Sequence, residues 1–267
     1  MQTEATSVEQ LEYCSIERAG ALCIVTLDRP EAMNSLHEAA DIELDGVWSR
    51  FESDPQLHVA ILTGAGERAF CTGNDLKSLA ANGGVRRFPR SGFGGLSTRT
   101  ERRKPIIAAV NGIAMGGGFE LCLACDLIIA ARNAVFALPE PKVGRCAALG
   151  GAQYLARTIG LPRAMGMLLT GRRVDADEAL SLGFLTAITE GDVMAAAREW
   201  AEQILQCSPA AIRATRQLAR HAALGPQFLD VLRAPTDLDQ VRLLRESEDF
   251  REGPRAFAER RSPVWTS

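Results

Sequence analysis

Residues 111–120 read NGIAMGGGFE and follow an apolar run at residues 106–110 that is typical of a buried strand. The three successive glycines leave the backbone amides unobstructed, and a helix beginning near Phe119 would point its N-terminal amides at one place. That arrangement suits a developing oxyanion, although a tight turn between a strand and a closely packed helix needs the same glycines. Glu120 in the first turn is either a dipole-complementing cap or a general acid or base.

A second carboxylate lies further along the chain. Glu140 stands between Pro139 and Pro141, directly after the strand-like residues 135–138. The two prolines fix this glutamate on a rigid turn at a strand end, where a lone surface glutamate would be unremarkable. Two carboxylates held in opposite protonation states can deliver the oxygen of water to one carbon and a proton to its neighbour. We therefore predict that Glu120 and Glu140 form an acid–base pair.

Strand and helix signals alternate around these two residues. Apolar runs predict strands at residues 21–27, 59–63, 106–110, 127–131 and 135–138. A capping-box pattern at Ser35 and an apolar face from Leu36 to Phe51 predict a helix between the first two strands. The sequence therefore predicts an α/β fold. Residues 82–97 are rich in glycine and arginine and show no period and few candidates for burial, which predicts a mobile loop.

The C-terminal quarter has a different character. Strand signals stop after about residue 190, and residues 193–206, 209–223 and 226–245 predict helices with brief interruptions. We therefore divide the chain into an α/β core at residues 1–205, which would hold the active site, and a helical oligomerisation region at residues 206–267.

Composition limits the function. The 267 residues are 46% hydrophobic and 24% charged, and the net charge of −3 gives no general attraction to nucleic acid or to an anionic membrane surface. The N-terminus lacks the pattern of a signal peptide, and the longest apolar stretch, residues 105–125, is interrupted by Asn111, Glu120 and glycines. Seven cysteines without paired spacing fit a reducing compartment. We expect a cytoplasmic protein without nucleic-acid or membrane partners.

Several other motifs are better explained by structure than by chemistry. Residues 64–69, GAGERA, match the dinucleotide fingerprint, but no helix signal follows, which favours a plain turn. Cys122 and Cys125 have C-x-x-C spacing without a second pair or a nearby histidine, which favours buried thiols over a metal or redox site. No G-x-S-x-G elbow accompanies a histidine, which disfavours a serine hydrolase. Residues 102–104, RRK, indicate a solvated helix end or a local phosphate contact.

Four stretches carry a resemblance to a known family. They are residues 25–30 (VTLDRP), 69–77 (AFCTGNDLK), 105–126 and 136–144. In these residues and their spacing, the chain resembles the enoyl-CoA hydratase/isomerase family, also called the crotonase family, over nearly its whole length. The resemblance implies a superhelix of ββα units, with C-terminal helices that associate protomers into trimers, often paired as hexamers. It places the oxyanion-hole amides on Asn74 and Gly117 and the two hydratase glutamates on Glu120 and Glu140.

The resemblance also implies the substrate contacts. Coenzyme A would be part of the substrate, and neither a separate cofactor nor a metal is expected. The residues implied as substrate or CoA contacts are Ala32, Asp75, Leu76, Lys77, Gly116 and Arg145, together with Phe257 and Arg260 reaching from a neighbouring subunit. The terminal helix and the GGGFE motif are similar to those of carnitinyl-CoA dehydratases, also called crotonobetainyl-CoA hydratases.

One segment departs from the family pattern. At residues 145–151 the chain reads RCAALGG, where many members have a proline-containing turn before a Gly-Gly pair. We expect the acyl pocket to differ here, and Arg145 either pairs with a carboxylate on an unusual acyl chain or is simply exposed. Retention of both glutamates favours a hydratase or dehydratase, a carbon–oxygen lyase acting at the α,β double bond of an enoyl-CoA. The alternatives are an isomerase or hydrolase on the same scaffold, or a non-catalytic acyl-CoA-binding assembly protein.

Overall fold

The computed structural model describes residues 7–233, 245–246, 248–262 and 264. In these residues the chain forms two β-sheets. The strands of the larger sheet run in the order β1 (Ser7–Gln10), β2 (Cys14–Ala19), β3 (Leu22–Leu27), β4 (Val59–Gly64), β6 (Ile106–Val110), β8 (Leu127–Ala131) and β11 (Ala187–Thr189). Those of the smaller sheet run in the order β10 (Val174–Asp175), β9 (Val135–Ala137), β7 (Ile113–Met115) and β5 (Ala69–Cys71).

A repeated strand, strand, helix unit builds both sheets. In the pairs β4 and β5, β6 and β7, and β8 and β9, the first strand joins the larger sheet and the second joins the smaller one. Neighbouring strands from β3 to β11 in the larger sheet are parallel. The helices are α1 (Glu38–Ser53), α2 (Leu76–Ala81), α3 (Gly117–Ala124), α4 (Gly151–Ile159), α5 (Leu161–Thr170), α6 (Ala176–Leu182), α7 (Val193–Leu205), α8 (Pro209–Arg233) and α9 (Asp249–Ala258). The predicted α/β fold of ββα units is confirmed.

Strand β4 is buried on both faces, which explains its continuous apolar sequence. Successive side chains of a strand point to opposite faces. Ala60 and Leu62 accordingly join the main core, whereas Val59 and Ile61 pack in a second cluster with residues of α7. Complete burial of side chains of this size contributes roughly 1.5–3 kcal/mol each. The sheet is therefore a rigid base for the loops that follow its strands.

Three aromatic rings connect α3 to β9. The ring centroid of Phe119 lies 5.3 Å from that of Phe136 and 5.0 Å from that of Phe184. Phe119 immediately precedes Glu120, and Phe136 lies on the strand that leads to Glu140. Packing of the rings thus fixes α3, which carries Glu120, relative to β9, which leads to Glu140.

The start of α1 differs from the prediction. The apolar face is buried as expected, but the helix begins at Glu38 and its N-cap is His37, whose Nδ1 accepts a hydrogen bond from the Ala40 amide at 3.3 Å. Ser35 is not the cap, because the next residue, Leu36, is extended in a parallel bridge with Asn74. Pairing with a distant segment has delayed the start of the helix by two residues.

Two further expectations are corrected by burial. Residues 82–97 are not poor in buried positions, because Phe93 and Leu96 are fully buried and Trp48 Nε1 donates to the Gly94 carbonyl at 2.9 Å. Residues 102–104 are not a solvated helix end, because Arg102 and Lys104 are buried. The Lys104 ammonium donates to the carbonyl of Phe51 at 2.7 Å, so a backbone acceptor replaces its water.

Other motifs behave as predicted. Residues 65–68 simply connect β4 to β5, so the GAGERA match is a plain turn. Cys122 and Cys125 are buried free thiols in and directly after α3.

The last helix returns to the core. Helix α9 packs against α2 and against the 3-10 turn Glu140–Val143, and a Cβ added at Gly253 would lie 1.9 Å from the Val143 carbonyl oxygen. The prediction of helices after residue 190 is confirmed where the chain is described, and residues 234–244 of the predicted third helix lie outside the described residues. The division at residue 205 and the oligomerisation role of the C-terminal region stay predictions. No described helix is both long and apolar enough to span a bilayer.

Candidate active site

A cavity of about 250 Å³ contains both predicted glutamates. Its wall includes Asn74, Arg86, Glu120, Glu140 and Arg145. A larger surface cleft of about 700 Å³ contains neither glutamate. The smaller cavity is therefore the candidate active site, because it gathers the groups that can exchange protons and bind anions.

Gly73 lies beside two backbone amides, that of the next residue, Asn74, and that of Gly117. Gly73 has a φ of +87°, and a Cβ there would lie 3.0 Å from the Gly117 nitrogen, so only glycine permits the approach. The Leu36 amide donates to the Gly73 carbonyl and the Asp75 amide donates to the Leu36 carbonyl, each at 2.9 Å, which turns the Asn74 N–H away from Leu36. Gly117 is the first residue of α3, so its N–H has no acceptor within the helix. Both amides thus lie outside the regular hydrogen bonding of helix and strand where the two segments meet.

The other two glycines of the GGG sequence are required by close packing. Gly116 has a φ of +54°, and a Cβ there would lie 3.0 Å from Glu140 Oε1. A Cβ at Gly118 would overlap the Cys71 carbonyl oxygen at 2.0 Å. Helix α3 begins at Gly117, two residues earlier than predicted, and packs directly on β5. The tight-turn interpretation is therefore correct, and it leaves the oxyanion interpretation open.

Glu120 is held by a distant loop. Its carboxylate Oε1 accepts hydrogen bonds from the Leu149 and Gly151 amides, both at 2.9 Å, and its side chain is buried. Burial raises the pKa of Glu120 to about 7, and the two amide hydrogen bonds oppose that rise. Glu120 is therefore not a cap of its own helix. The segment that departs from the family pattern, residues 145–151, is the one that holds it.

Glu140 has a different environment. Its side chain is buried, and its Oε2 has no hydrogen-bond partner among the described residues. Burial and then the neighbouring Glu120 charge raise the pKa of Glu140 to about 8. Two interacting carboxyls titrate as a pair, and the one without donors keeps the proton longer. Near neutral pH Glu140 therefore holds a proton more readily than Glu120 does.

Arg86 also lines the cavity, and a carboxylate of the same chain neutralises its charge. Its guanidinium forms an ion pair with Asp41, which is fully buried on α1 and also accepts the Gly94 amide at 2.8 Å. Arg86 further donates to the Leu36 carbonyl at 2.7 Å and to the Asn74 side-chain oxygen. Burial raises the pKa of Asp41 to about 6 and lowers that of Arg86, yet both remain charged at neutral pH. The pair therefore holds the Asn74 side chain and the Leu36 backbone that is bridged to Asn74.

Arg145 lacks such an ion pair among the described residues. One of its Nη atoms donates to the Gly84 carbonyl at 2.7 Å, and its guanidinium carbon lies 4.0 Å from the centre of the Phe250 ring. Its Nε is buried without a hydrogen-bond partner in the described chain. Burial and the nearby Arg245 charge lower the pKa of Arg145 to about 10. Arg145 is half-buried, and its pairing with a carboxylate on the substrate stays a prediction.

The residues around Asn74 that were predicted to contact CoA form the outer edge of the site. Asp75 caps α2 by accepting the Ser78 amide at 3.1 Å. Leu76 and Lys77 begin that helix, with Lys77 exposed, and Ala32 ends the 3-10 turn Pro30–Ala32. Asp75, Leu76 and Lys77 directly follow Asn74 in the chain, and neither they nor Ala32 line the cavity. Their contact with CoA stays a prediction.

The two C-terminal residues implied by the family resemblance lie apart from the cavity of the same chain. Phe257 is 53% exposed, and Arg260 is exposed just after α9. Their predicted reach into a neighbouring subunit is compatible with this exposure and stays a prediction. Phe250 and Arg251, earlier in α9, line the cavity instead.

Sequence reasoning missed Arg86, Phe88 and Phe250 as cavity residues. A signal existed for Arg86, because Asp41 shares the apolar face of α1 with Leu44 and a buried carboxylate needs a cationic partner. No local signal existed for Phe250. Within the described parts of the chain, no group of three histidine, cysteine, aspartate or glutamate side chains is placed to hold a metal ion.

Known proteins resemble this chain over nearly its whole length. The enoyl-CoA hydratase/isomerase family matches residues 17–267. The (E)-benzylidenesuccinyl-CoA hydratase of Thauera aromatica is 41% identical, over 94% of this chain and 98% of that protein. The carnitinyl-CoA dehydratase of Escherichia coli (strain K12) is 42% identical, over 95% and 98%. The solved structure of a carnitinyl-CoA dehydratase from Mycobacterium avium 104 has a TM-score of 0.84 at 36% identity and covers 96% of this chain and 99% of that one.

The chain therefore belongs to the enoyl-CoA hydratase/isomerase family. The expected family and fold are confirmed, and the expected similarity to carnitinyl-CoA dehydratases is confirmed at 42% identity. The two relatives named above are a hydratase and a dehydratase of CoA thioesters.

Proposed function

We propose that this protein is an acyl-CoA hydratase or dehydratase, which adds or removes water across the α,β double bond of an enoyl-CoA thioester. The observation that carries this function is the pair of buried carboxyls in one cavity, Glu120 with two amide donors and Glu140 with an unpartnered oxygen. The family and the names of the relatives support the same class, a carbon–oxygen lyase.

The thioester oxygen would bind between the Asn74 and Gly117 amides. Negative charge develops on this oxygen as water adds, and fixed N–H donors stabilise that charge without proton transfer. Each such donor is worth about 100-fold to 1000-fold in rate in well-studied enzymes. Arg86 supports the arrangement, because it holds both the Leu36 carbonyl and the Asn74 side chain.

The two glutamates would divide the proton transfers. Ionised Glu120 takes a proton from water as the water oxygen bonds to the β-carbon, and protonated Glu140 gives its proton to the α-carbon. The sum is one water added, and the pair is left with its proton on Glu120 instead of Glu140. Proton exchange with solvent restores the starting state, and the reverse sequence removes water. The higher pKa of Glu140, about 8, supports its role as the acid.

The remaining parts of the site follow the family pattern as proposals. Coenzyme A would enter as part of the substrate, with no separate cofactor, along Ala32, Asp75 to Lys77 and Gly116. Phe257 and Arg260 would touch the CoA of a neighbouring protomer in a trimer or hexamer, which their exposure supports. The net charge of −3 supports the absence of nucleic-acid or membrane partners, and the seven cysteines without paired spacing support a cytoplasmic location.

The function is tested by turnover of crotonyl-CoA, followed at the absorbance of its conjugated double bond. Wild type should consume it, and Glu140→Gln should lose about 100-fold to 10,000-fold in kcat because it cannot donate a proton. Glu199→Gln is the matched control, since Glu199 is exposed on α7 away from the cavity. A Glu140→Gln variant with near-normal kcat would remove Glu140 from the mechanism, and formation of a shifted double bond instead of a hydroxyl product would identify an isomerase.

A further inference from the structure

We propose that the acyl group of the substrate carries a carboxylate and that Arg145 binds it. This inference deepens the proposed function, because it concerns the same cavity, and it rests on that function for the identity of the ligand as a CoA ester. Arg145 would then be a specificity-determining residue. Its guanidinium would recognise the end of the acyl chain remote from the thioester.

The first support is that folding leaves the charge of Arg145 without a carboxylate partner among the described residues. Its polar contacts are one carbonyl, that of Gly84 at 2.7 Å, and the face of the Phe250 ring. The buried Nε atom has no acceptor in the described chain, which is equally true of Arg86 Nε, so the missing carboxylate is what distinguishes Arg145. A half-buried guanidinium loses part of its hydration, and neither a single carbonyl nor a ring replaces that hydration fully. A carboxylate accepts two parallel N–H bonds from a guanidinium and would complete the site.

The second support is the contrast with Arg86 in the same cavity. Arg86 has its own buried carboxylate, Asp41, and two further oxygen acceptors. The chain therefore supplies a counter-ion where an arginine is needed for structure. At Arg145 the neighbouring charged side chain in the cavity wall is another cation, Arg245, and this charge together with burial lowers the pKa of Arg145. Among the residues that the structure describes, no carboxylate pairs with Arg145, and a bound anion would balance the charge at this end of the cavity.

The third support is position. The Arg145 amide donates to the Glu140 carbonyl at 2.9 Å, so the backbone of Arg145 is anchored to the turn that carries the proposed acid. Ala148 and Leu149 line the wall beside it and provide apolar surface for the chain between the reacting carbons and the carboxylate. A substrate anion at Arg145 would therefore orient the double bond relative to Glu140.

A phosphate of coenzyme A has chemistry similar to that of a carboxylate, so the test must separate the two sources. Butyryl-CoA, glutaryl-CoA and 4-(trimethylammonio)butyryl-CoA share the same CoA and the same saturated chain. They differ only in ending with hydrogen, a carboxylate or a quaternary ammonium. Because none of them has a double bond, calorimetric titration measures binding without turnover.

Wild type should bind glutaryl-CoA about 10-fold to 100-fold more tightly than butyryl-CoA, which is the range of charge-assisted hydrogen bonds. The trimethylammonio ester should bind most weakly, because Arg145 and Arg245 repel a cation. In Arg145→Gln the affinities for glutaryl-CoA and butyryl-CoA should become nearly equal. Arg145→Lys should retain part of the preference, and Arg163→Gln, an exposed arginine on α5, should retain all of it.

The outcomes separate this inference from the proposed function. Equal wild-type affinities for glutaryl-CoA and butyryl-CoA would overturn the inference, even if crotonyl-CoA is hydrated. An equal loss of affinity for all three esters in Arg145→Gln would assign the arginine to a CoA phosphate and also overturn it. A preference for glutaryl-CoA that depends on Arg145, in a protein that hydrates neither crotonyl-CoA nor its carboxymethyl analogue glutaconyl-CoA, would support the inference while the proposed function fails. Binding of free CoA by each variant reports correct folding.

Discussion

The glutamate end and the arginine end of the cavity respond to the same burial in opposite directions. Burial raises the pKa values of Glu120 and Glu140 to about 7 and about 8, and it lowers the pKa of Arg145 to about 10. Loss of water disfavours every charged form, so acids hold protons longer and bases release them sooner. The shift of the acids brings them into the range where they exchange protons near neutral pH. Arg145 stays cationic there, so a bound anion would stabilise the charge that burial leaves poorly hydrated.

The two ends also differ in how far the chain stabilises the charges of their side chains. Amides of Leu149 and Gly151 partly stabilise the Glu120 charge, whereas Arg145 receives a single carbonyl and a ring. Arg86, with its Asp41 partner, shows that a full ion pair can be built beside the same cavity. This difference is what the proposed proton transfer at the glutamate end and the proposed ligand at the arginine end would require.

The largest expected effect is at the glutamate end. Glu120→Gln keeps an oxygen for the Leu149 and Gly151 amides but removes the base, so kcat should fall about 100-fold to 10,000-fold while KM changes only several-fold. Steady-state kinetics with crotonyl-CoA and glutaconyl-CoA measure both constants. If KM rises and kcat persists, Glu120 supports the loop at residues 149–151 and is not the base.

Removing the carboxylate partner of Arg86 should destabilise the folded protein, because Arg86 then lacks an ion pair as Arg145 does. Asp41→Asn leaves a buried guanidinium without its counter-ion, and breaking a buried pair in this way costs about 3–5 kcal/mol of unfolding free energy. Urea denaturation measures this loss. Glu38→Gln, at the exposed start of the same helix, is the control and should change the unfolding free energy by no more than about 0.5 kcal/mol. A similarly small effect of Asp41→Asn would mean that the other acceptors of Arg86 suffice.

The rate should depend on pH as a narrow bell. Below about 7 the base Glu120 gains a proton, and above about 8 the acid Glu140 loses its proton. Activity should therefore fall on both sides, by about tenfold for each pH unit well outside this range. The profile of kcat/KM with crotonyl-CoA reports the two macroscopic pKa values of the pair. A flat profile from pH 5 to pH 9 would contradict the acid–base assignment.

The smallest expected effect is on stability at the arginine end. Arg145→Gln removes a cation that has no carboxylate partner in the described chain, so the unfolding free energy should change by no more than about 2 kcal/mol, the value of a desolvated cation–π contact. The same urea titration as for Asp41→Asn measures it. A loss as large as that of Asp41→Asn would show that Arg145 is a structural residue, and the contrast between the two arginines would disappear.

Much of the fold was predictable because its signals are local. The apolar runs at β3, β4, β6 and β8 are five or six residues long and fully or mostly buried, so composition alone indicates strands. The predicted start of α1 was wrong, because the cap at His37 depends on the pairing of Leu36 with a segment far along the chain. The burial of Phe93 was also missed, because its ring is covered by residues that are remote in sequence, such as Gly117.

The sequence by itself determined that Glu120 and Glu140 follow a glycine-rich helix start and a proline-bounded strand end, since glycine and proline act on the backbone within a few residues. Only the tertiary structure decided what these groups can do. The donors of Glu120 come from residues 149–151, and the partner of Arg86 comes from α1, which are remote in sequence. Charge states depend on water removed by distant segments, and a pattern of neighbouring residues does not contain that information.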